Sequence, residues 1–401
     1  AGSGKVKAAA AGAERSSSGG KLPVAGEGTG GVVAPPLEKR RRLEEKDVRP
    51  GQTGLLQMGN TCFMNAVLQA LSYTPSFRQY FLTADLSGLG NERLGQSGSK
   101  VPTVAPGPTT MARPAGQDGD QAGDAGEGGG QSPSLVSQEL QGLFRMLWSG
   151  TSRSVSPEAL VKSIWVFLPH FYGFQQHDAQ EFLRFFLDRV QSELIAWKRG
   201  PEPSGSIVGE TFRGVLLSEV RCIRCGKIRR KFDPFLDISI SIPKKYAARQ
   251  RGDSTSVPLV ECLQNYVGSE TIGDLEQYSC KSCLANDAAT KTLTIDVTPA
   301  VLCIHVKRFR WPSRGKVTTH IDFPEVLDVG AFTKQCREIP YRLFGVVEHH
   351  GYGSYSGHYT AFCLSPLSEW LYFDDEKVYH SSLADAQAAQ CYILFYKKVS
   401  A

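Results

Sequence analysis

Gly54-Leu-Leu-Gln-Met-Gly-Asn-Thr-Cys62-Phe-Met-Asn65 is the stretch on which the reading of this chain turns. A loop carrying two glycines and an asparagine runs into a cysteine. After it Phe63, Val67, Leu68 and Leu71 recur at roughly helical spacing, so Cys62 falls in the first turn of a helix that buries one face. There the aligned peptide dipoles and unbonded N–H groups favour thiolate over thiol, as a nucleophilic cysteine requires. Such a cysteine also needs a base. The chain offers one almost three hundred residues later in Gly351-Tyr-Gly-Ser-Tyr-Ser-Gly-His358-Tyr-Thr-Ala361, followed by Tyr372-Phe-Asp374-Asp375. Cysteine, histidine and aspartate, far apart in sequence, are the set needed for thiolate chemistry with a carboxylate-oriented imidazole.

The chain has 401 residues, of which 41% are hydrophobic and 21% charged, enough for a sizeable core. No apolar run approaches the ~18 residues of a membrane helix, and no N-terminal hydrophobic block resembles a signal peptide. A soluble, intracellular protein without membrane contact is expected. Of ten cysteines, four form the pairs Cys222-Ile-Arg-Cys225 and Cys280-Lys-Ser-Cys283. Two such pairs predict a four-thiolate, tetrahedral, structural zinc site, with one Zn2+ per chain. The plainer alternative is four unliganded buried cysteines. The net charge is +5, but residues 1–50 alone hold ten Lys/Arg against six Asp/Glu. The remainder is nearly neutral and gives no reason to expect nucleic acid contact.

Residues 1–50, rich in Ala, Gly and Ser and without aromatics, predict a disordered basic segment. Within it Lys39-Arg-Arg-Arg42 reads either as a nuclear-import signal or as a solvated charge run. From 84 to 133 the composition shifts to Gly, Pro, Ser, Gln and Asp, which predicts an exposed disordered insert. Order resumes with the apolar stripe Leu140, Leu143, Phe144, Leu147, Trp148 and a helix start at Ser156-Pro157-Glu158. Another helix starts near Asp178, burying Leu183, Phe186, Leu187, Val190 and Leu194; Asp178 and Glu181 in its first turn read as N-terminal capping acids. Strands are expected at 301–306, 343–347, 358–363, 370–373 and 392–396. His305 alternates into the first of these and reads as a core histidine; His349 and His350 are ambiguous.

The Cys62, His358 and Asp374 boxes, together with Gln175-Gln-His-Asp-Ala-Gln-Glu-Phe-Leu183, Val306-Lys-Arg-Phe309 and the two cysteine pairs, resemble the ubiquitin-specific proteases. That resemblance implies an α+β, papain-like cysteine protease of thumb, palm and fingers architecture. The catalytic domain would cover 51–401, with a helical thumb about 53–205, zinc-ribbon fingers about 206–295 and an antiparallel β palm about 296–398. It implies hydrolysis of the isopeptide or peptide bond after the C-terminal glycine of ubiquitin. Cys62 would be the nucleophile, His358 base then acid, Asp374 the orienting carboxylate, and Asp375 a second support for the histidine or the oxyanion. Where the family has an oxyanion-donating asparagine, this chain has Gln57, which leaves weakened or substrate-gated activity open. Asp178 and Glu181 would face the arginines of ubiquitin's tail, with Gly357 and Tyr359 beside the extended Gly-Gly end. The partners implied are ubiquitin and ubiquitinated proteins. Asp233-Pro-Phe-Leu-Asp-Ile-Ser and Tyr392-Ile-Leu-Phe-Tyr396 most resemble nuclear members acting on histone-linked ubiquitin, which adds histones as partners and a nuclear or nucleocytoplasmic location. A monomer is expected. Two rivals stand beside this: a catalytically silent ubiquitin-binding adaptor of the same fold, and a zinc-ribbon nucleic-acid module.

Overall fold

The quoted stretch opens, in the computed structural model, with a two-residue strand β1 (Gly54–Leu55) lying parallel to β2 (Ser154–Val155) and then enters α1 (Cys62–Ser72) at the cysteine itself. The structure describes residues 40–44, 48–89, 134–198, 205–247, 256–272, 278–309, 315–353 and 356–399. All of these belong to one compact unit, Val33–Ala401. Every residue of α1 is buried. A helix enclosed on all sides must satisfy its polar side chains internally. Gln69 does so with its Nε2, which donates to the Thr53 carbonyl at 2.9 Å, while its Oε1 has no partner among the described residues.

Around α1 stand α2 (Pro75–Thr83), α3 (Val136–Leu147), α4 (Glu158–Phe167), α5 (Ala179–Lys198) and α6 (Ile207–Phe212). Pro75 starts α2, where its missing N–H is harmless. The expected stripe of α3 is buried, and Phe77, Phe81, Phe144 and Phe212 pack edge to face where α2, α3 and α6 meet. Helices α1 to α5 fall within the span expected for the thumb, whereas α6, which packs against α2, lies just past its expected end at 205. The expected insert begins later than 84: Leu86 and Leu89 are buried, and the Gln138 amide of α3 donates to both their carbonyls. Residues 90–133 lie outside the described residues, as do 1–39. Part of the supposedly disordered N-terminal segment is likewise placed, since Leu43 is buried and its N–H donates to the Val378 carbonyl.

Past the thumb the chain enters a narrow sheet with β3 (Gly214–Cys222) and β4 (Ile228–Phe235), then leaves it for β5 (Asp237–Ser241), α7 (Lys244–Ala247), β6 (Val257–Pro258) and α8 (Leu259–Val267). It returns with β7 (Glu270–Ile272), β8 (Tyr278–Ser279), β9 (Asn286–Asp287) and β10 (Ala289–Val297). Among the described residues the fingers sheet has the order β4-β3-β10-β7. The palm is built from β11 (Val301–Lys307), β12 (Ile321–Asp322), β13 (Val326–Asp328), β14 (Pro340–Gly353), β15 (Ser356–Leu364), β16 (Trp370–Asp374), β17 (Lys377–Ser381), α9 (Leu383–Ala388) and β18 (Cys391–Lys398). Its main sheet runs β17-β16-β15-β14-β18-β11-β5. Two boundaries therefore differ from expectation. Strand β5 and helix α8, placed by sequence in the fingers, belong to the palm, because Ile238 and Ile240 alternate into its core beside Cys262 and Leu263 of α8. The main sheet is antiparallel except that β5 pairs with β11 in parallel, as a strand arriving from outside the meander does; beside it β6 and β12 form a second parallel pair.

Candidate active site

Three separate elements converge on Cys62. Helix α1 lies across β15 and β16, with Val67 and Leu71 sharing a core with Ala361, Cys363 and Phe373. That packing brings the start of the helix to the start of β15, where His358 stands, and to the end of β16, where Asp374 stands. The His358 Nε2 and Asp374 Oδ1 atoms are 2.6 Å apart. Cys62 lies beside the same ring. The Asp374 bond, then Cys62, push His358 up to about 10 despite its partial burial, so the ring is an imidazolium at neutral pH. Asp374 is held below the usual carboxylate range by the same bond.

The adjacent acids have different partners. Asp375 occupies the β16–β17 turn at φ +50°, is nearly buried, and accepts from Asn65 Nδ2 at 2.8 Å. Burial raises its carboxyl above the usual range. Its backbone carbonyl accepts from Leu55 N–H, and Gly54 presses so closely on Glu376 that a Cβ there would come within 2.6 Å of its carbonyl oxygen. Asp374 thus orients the histidine, whereas Asp375 ties the hairpin to α1 and to the loop before it. Asn65 was not singled out from sequence; the signal was an asparagine inside an otherwise apolar helical stretch, which must find a buried partner.

The first turn of α1 is free to receive a negative charge. Thr61, its N-cap, makes no side-chain cap; its hydroxyl instead accepts from Met58 N–H at 2.9 Å. The N–H groups at the cysteine are left open, the arrangement an oxyanion needs. Gln57 lies exposed on the preceding loop with no hydrogen bond among the described residues. Asn60 instead holds that loop, donating to the Phe174 carbonyl at 2.7 Å, and Gly59 at φ +77° sits under the Phe174 ring. The Cys62 side of the cleft is tight: the residue is only 3% exposed.

Asp178 carries more duties than the sequence suggested. Its Oδ1 caps α5, accepting from Gln180 and Glu181 N–H at 2.8 and 3.2 Å, and its Oδ2 accepts from the Tyr392 hydroxyl. Glu181 is more open, facing His170 at 3.4 Å. Gly357 accepts from Gln176 Nε2 at 2.8 Å, and a Cβ on it would collide with His349. Tyr359 is 6% exposed and packs on His349 and Tyr392. His305 is the core histidine expected: buried, 2.9 Å from the Ser239 hydroxyl, and pushed down to about 4 by burial. His349 is buried and pushed down to about 3, and His350 contacts Thr360 and Glu348. Neither competes with His358.

Far from this cleft, Cys222, Cys225, Cys280 and Cys283 bring their sulfurs within 4.8 Å of one another. A tetrahedron with metal–sulfur bonds of about 2.3 Å has sulfurs about 3.8 Å apart. The Cys222–Cys283 and Cys225–Cys280 separations are 3.9 and 3.7 Å. The cluster fits a metal ion. Each pair is folded alike: Gly226 N–H returns to the Cys222 carbonyl, and Leu284 N–H to that of Cys280. Both closing residues have positive φ, +70° at Gly226 and +56° at Leu284.

The family model for ubiquitin carboxyl-terminal hydrolase matches residues 53–396. The chain belongs to this family. Among curated ubiquitin carboxyl-terminal hydrolases it is 34% identical over 404 residues to hydrolase 44-A of Xenopus laevis, covering 87% of this chain and 57% of that protein. It is 33% identical over 375 residues to hydrolase 3 of Homo sapiens, covering 86% and 67%. The chain thus spans a little over half the length of the first of these relatives. Among solved structures it resembles the SAGA DUB module Ubp8/Sgf11/Sus1/Sgf73 bound to ubiquitin aldehyde, with a TM-score of 0.68 and 26% identity over 88% of this chain and 71% of that one. The same module bound to monoubiquitin matches with a TM-score of 0.68 over 91% and 73%. The thumb, palm and fingers are those of the ubiquitin carboxyl-terminal hydrolase fold.

Proposed function

We propose that this chain is a deubiquitinating cysteine protease, and the observation that carries the proposal is the His358 ring bonded to Asp374 at 2.6 Å and set beside Cys62, an arrangement that favours the charged imidazolium. That positive charge supplies what a thiolate needs at neutral pH. The thiolate attacks the carbonyl carbon of ubiquitin's terminal glycine, and the oxygen takes the charge toward the open N–H groups of α1. His358 donates its proton to the departing lysine or peptide amine as the C–N bond breaks, leaving a thioester. Neutral His358 then removes a proton from water, whose oxygen attacks the thioester; the acid leaves and the thiolate–imidazolium pair is restored. The narrow approach to Cys62 suits a thin Gly-Gly tail. Asp178 and Glu181 would receive the tail arginines, Glu181 being the more accessible.

In the fingers, Cys222, Cys225, Cys280 and Cys283 would hold one structural zinc ion that stabilises the lobe and takes no part in the reaction. The finer expectations, a nuclear or nucleocytoplasmic enzyme acting on histone-linked ubiquitin, rest on the likeness of Asp233-Pro-Phe-Leu-Asp-Ile-Ser and Tyr392-Ile-Leu-Phe-Tyr396 to nuclear members of the family. The test is hydrolysis of ubiquitin C-terminally linked to a fluorogenic amine. The chain should turn it over, and Cys62→Ala should not while still binding ubiquitin. Binding without turnover in the unaltered chain would instead establish a silent adaptor.

A further inference from the structure

The arginine run that sequence leaves as a charge cluster is, from Arg40 on, part of the palm. Arg42 pairs antiparallel with Tyr379; Leu43 N–H donates to the Val378 carbonyl and His380 N–H to the Arg41 carbonyl, each at 3.0 Å. Strand β17 ends the palm sheet's strand order, so this segment extends the sheet beyond it. The side chains anchor it as well. Leu43 is buried, and the Arg40 guanidinium lies 5.0 Å from the Phe362 ring centre and 4.4 Å from that of Tyr372. Among the described residues the buried Arg40 Nε has no hydrogen-bond partner, and the two ring faces are what the guanidinium meets there.

Tyr372 lies two residues before Asp374 on β16, and Phe362 four residues after His358 on β15. Phe362 and Tyr372 are cross-strand partners with centroids 4.7 Å apart. By strand alternation Phe362 shares a face with His358, and Tyr372 with Asp374 two residues on. Asp374 and Asp375 sit at the end of the β16–β17 hairpin, where Asp374 pairs with Lys377. Leu55 N–H grips that hairpin at Asp375 from one side, and Leu43 N–H grips it at Val378 from the other. A two-stranded ribbon at a sheet edge twists easily, and a third strand restrains it. The match to the family model begins at residue 53, so this strand lies upstream of the matched range.

We propose that Arg40–Leu43 is a positioning strand for the triad, holding the β16–β17 hairpin so that Asp374 stays bonded to His358. It acts through Asp374 and touches no substrate. The inference rests on the proposed hydrolase reaction. The test compares the full chain, the chain lacking residues 1–39, the chain lacking residues 1–44, and the full-length substitutions Arg40→Ala and Leu43→Pro, the last removing the N–H that bonds Val378. Each is assayed on the ubiquitin–fluorophore conjugate across pH. Removing 1–39 should leave kcat unchanged. Removing 1–44, or Leu43→Pro, should lower kcat about tenfold with KM within about twofold, the size expected when one charge-assisted hydrogen bond is loosened. The alkaline limb of the profile should move to lower pH, because His358 loses part of what holds its proton. The groups facing that ring are Cys62 on α1, Asp374 on β16, Asp375 in the turn, and His349 and His350 on β14. Arg40→Ala, which keeps the backbone pairing, should give the same limb shift in smaller measure and keeps the test valid if the other two variants fold poorly. An unmoved limb with unchanged kcat, or a lower melting temperature with no limb shift, would overturn the proposal. Inactivity of the unaltered chain would refute the hydrolase reading itself and is seen before any comparison between variants.

Discussion

Substituting Asp374→Asn keeps the shape of the orienting group and removes its charge. The bond it alters is short, 2.6 Å, and lies between side chains 35% and 20% exposed. A charge-assisted hydrogen bond contributes about 1.5–3 kcal/mol and a neutral one about 0.5–1.5, so the exchange costs about 1–2 kcal/mol after allowing for solvent at this half-open site. If that loss falls on the transition state, kcat/KM drops roughly 5- to 30-fold. The same energy, read on the imidazolium, lowers its pKa by roughly 0.7–1.5 units. The alkaline limb should therefore move down from about 10, where the parent ring loses its proton. It should not collapse to an ordinary histidine's value, since Cys62 and Asp375 also support the charge. The stability effect has its own window. His358 is raised in the folded state, so its contribution is full below about 6.5 and fades as pH climbs through about 10; Asp374 is lowered, so its contribution is present above about 3.9 and fades below. The difference in melting temperature between parent and variant should be largest between about pH 4 and 6.5 and shrink by pH 9. A slower enzyme whose alkaline limb stays in place would refute this account of Asp374, as would a limb shift produced equally by Asp375→Asn.

Other positions separate roles that lie close together. Asn65→Ala strands the buried Asp375 carboxyl, and chemical denaturation should show a loss of about 1–3 kcal/mol. Glu181→Gln should cut kcat/KM by about 1.5–3 kcal/mol for each arginine bond lost with an unchanged melting curve, recovered in part on ubiquitin with neutral tail residues. Asp178→Ala should lower both activity and melting temperature, because the same carboxylate caps α5 and receives Tyr392. Leu284→Gly should stabilise the protein by roughly 0.5–1 kcal/mol, since a branched side chain is held at φ +56° while 84% exposed. A lower melting temperature would mean that Leu284 makes contacts which outweigh its strain.

The parts legible in the sequence were those set by local periodicity or by chemistry with fixed spacing. Cys62 at a helix start, the α3 stripe and the strand carrying His358 follow from apolar repeats that tertiary packing only reinforces. The four cysteines announce themselves because a tetrahedral thiolate site tolerates few spacings. What could not be read was non-local. Nothing in Asp237-Ile-Ser-Ile-Ser says that this strand crosses into the palm, since its alternation fits either sheet. Tyr359 follows the catalytic histidine by one residue, yet it is buried against His349 and Tyr392 from other strands. Asn65 meets Asp375 across 310 positions, a pairing that composition cannot signal. The segment 40–43 looked disordered because its few apolar atoms are useful only against a sheet formed much later in the chain.

The arrangement of the two cysteine pairs bears on how the fingers would survive losing the zinc ion proposed for them. Between Cys225 and Cys280 the chain leaves the fingers, contributes β5 and α8 to the palm, and comes back. Both cysteine pairs therefore hang from anchors that do not depend on the ion. When zinc departs, the second pair remains at a high effective concentration relative to the first, because the palm fixes the span that a free chain would have to close. Recapture is then an intramolecular event. A chelator should loosen the fingertip while the palm keeps its fold, and added zinc should restore ubiquitin binding without passage through the unfolded chain. Near-ultraviolet circular dichroism of the palm aromatics, followed through removal and return of the metal, would report a global unfolding signal if this reasoning is wrong.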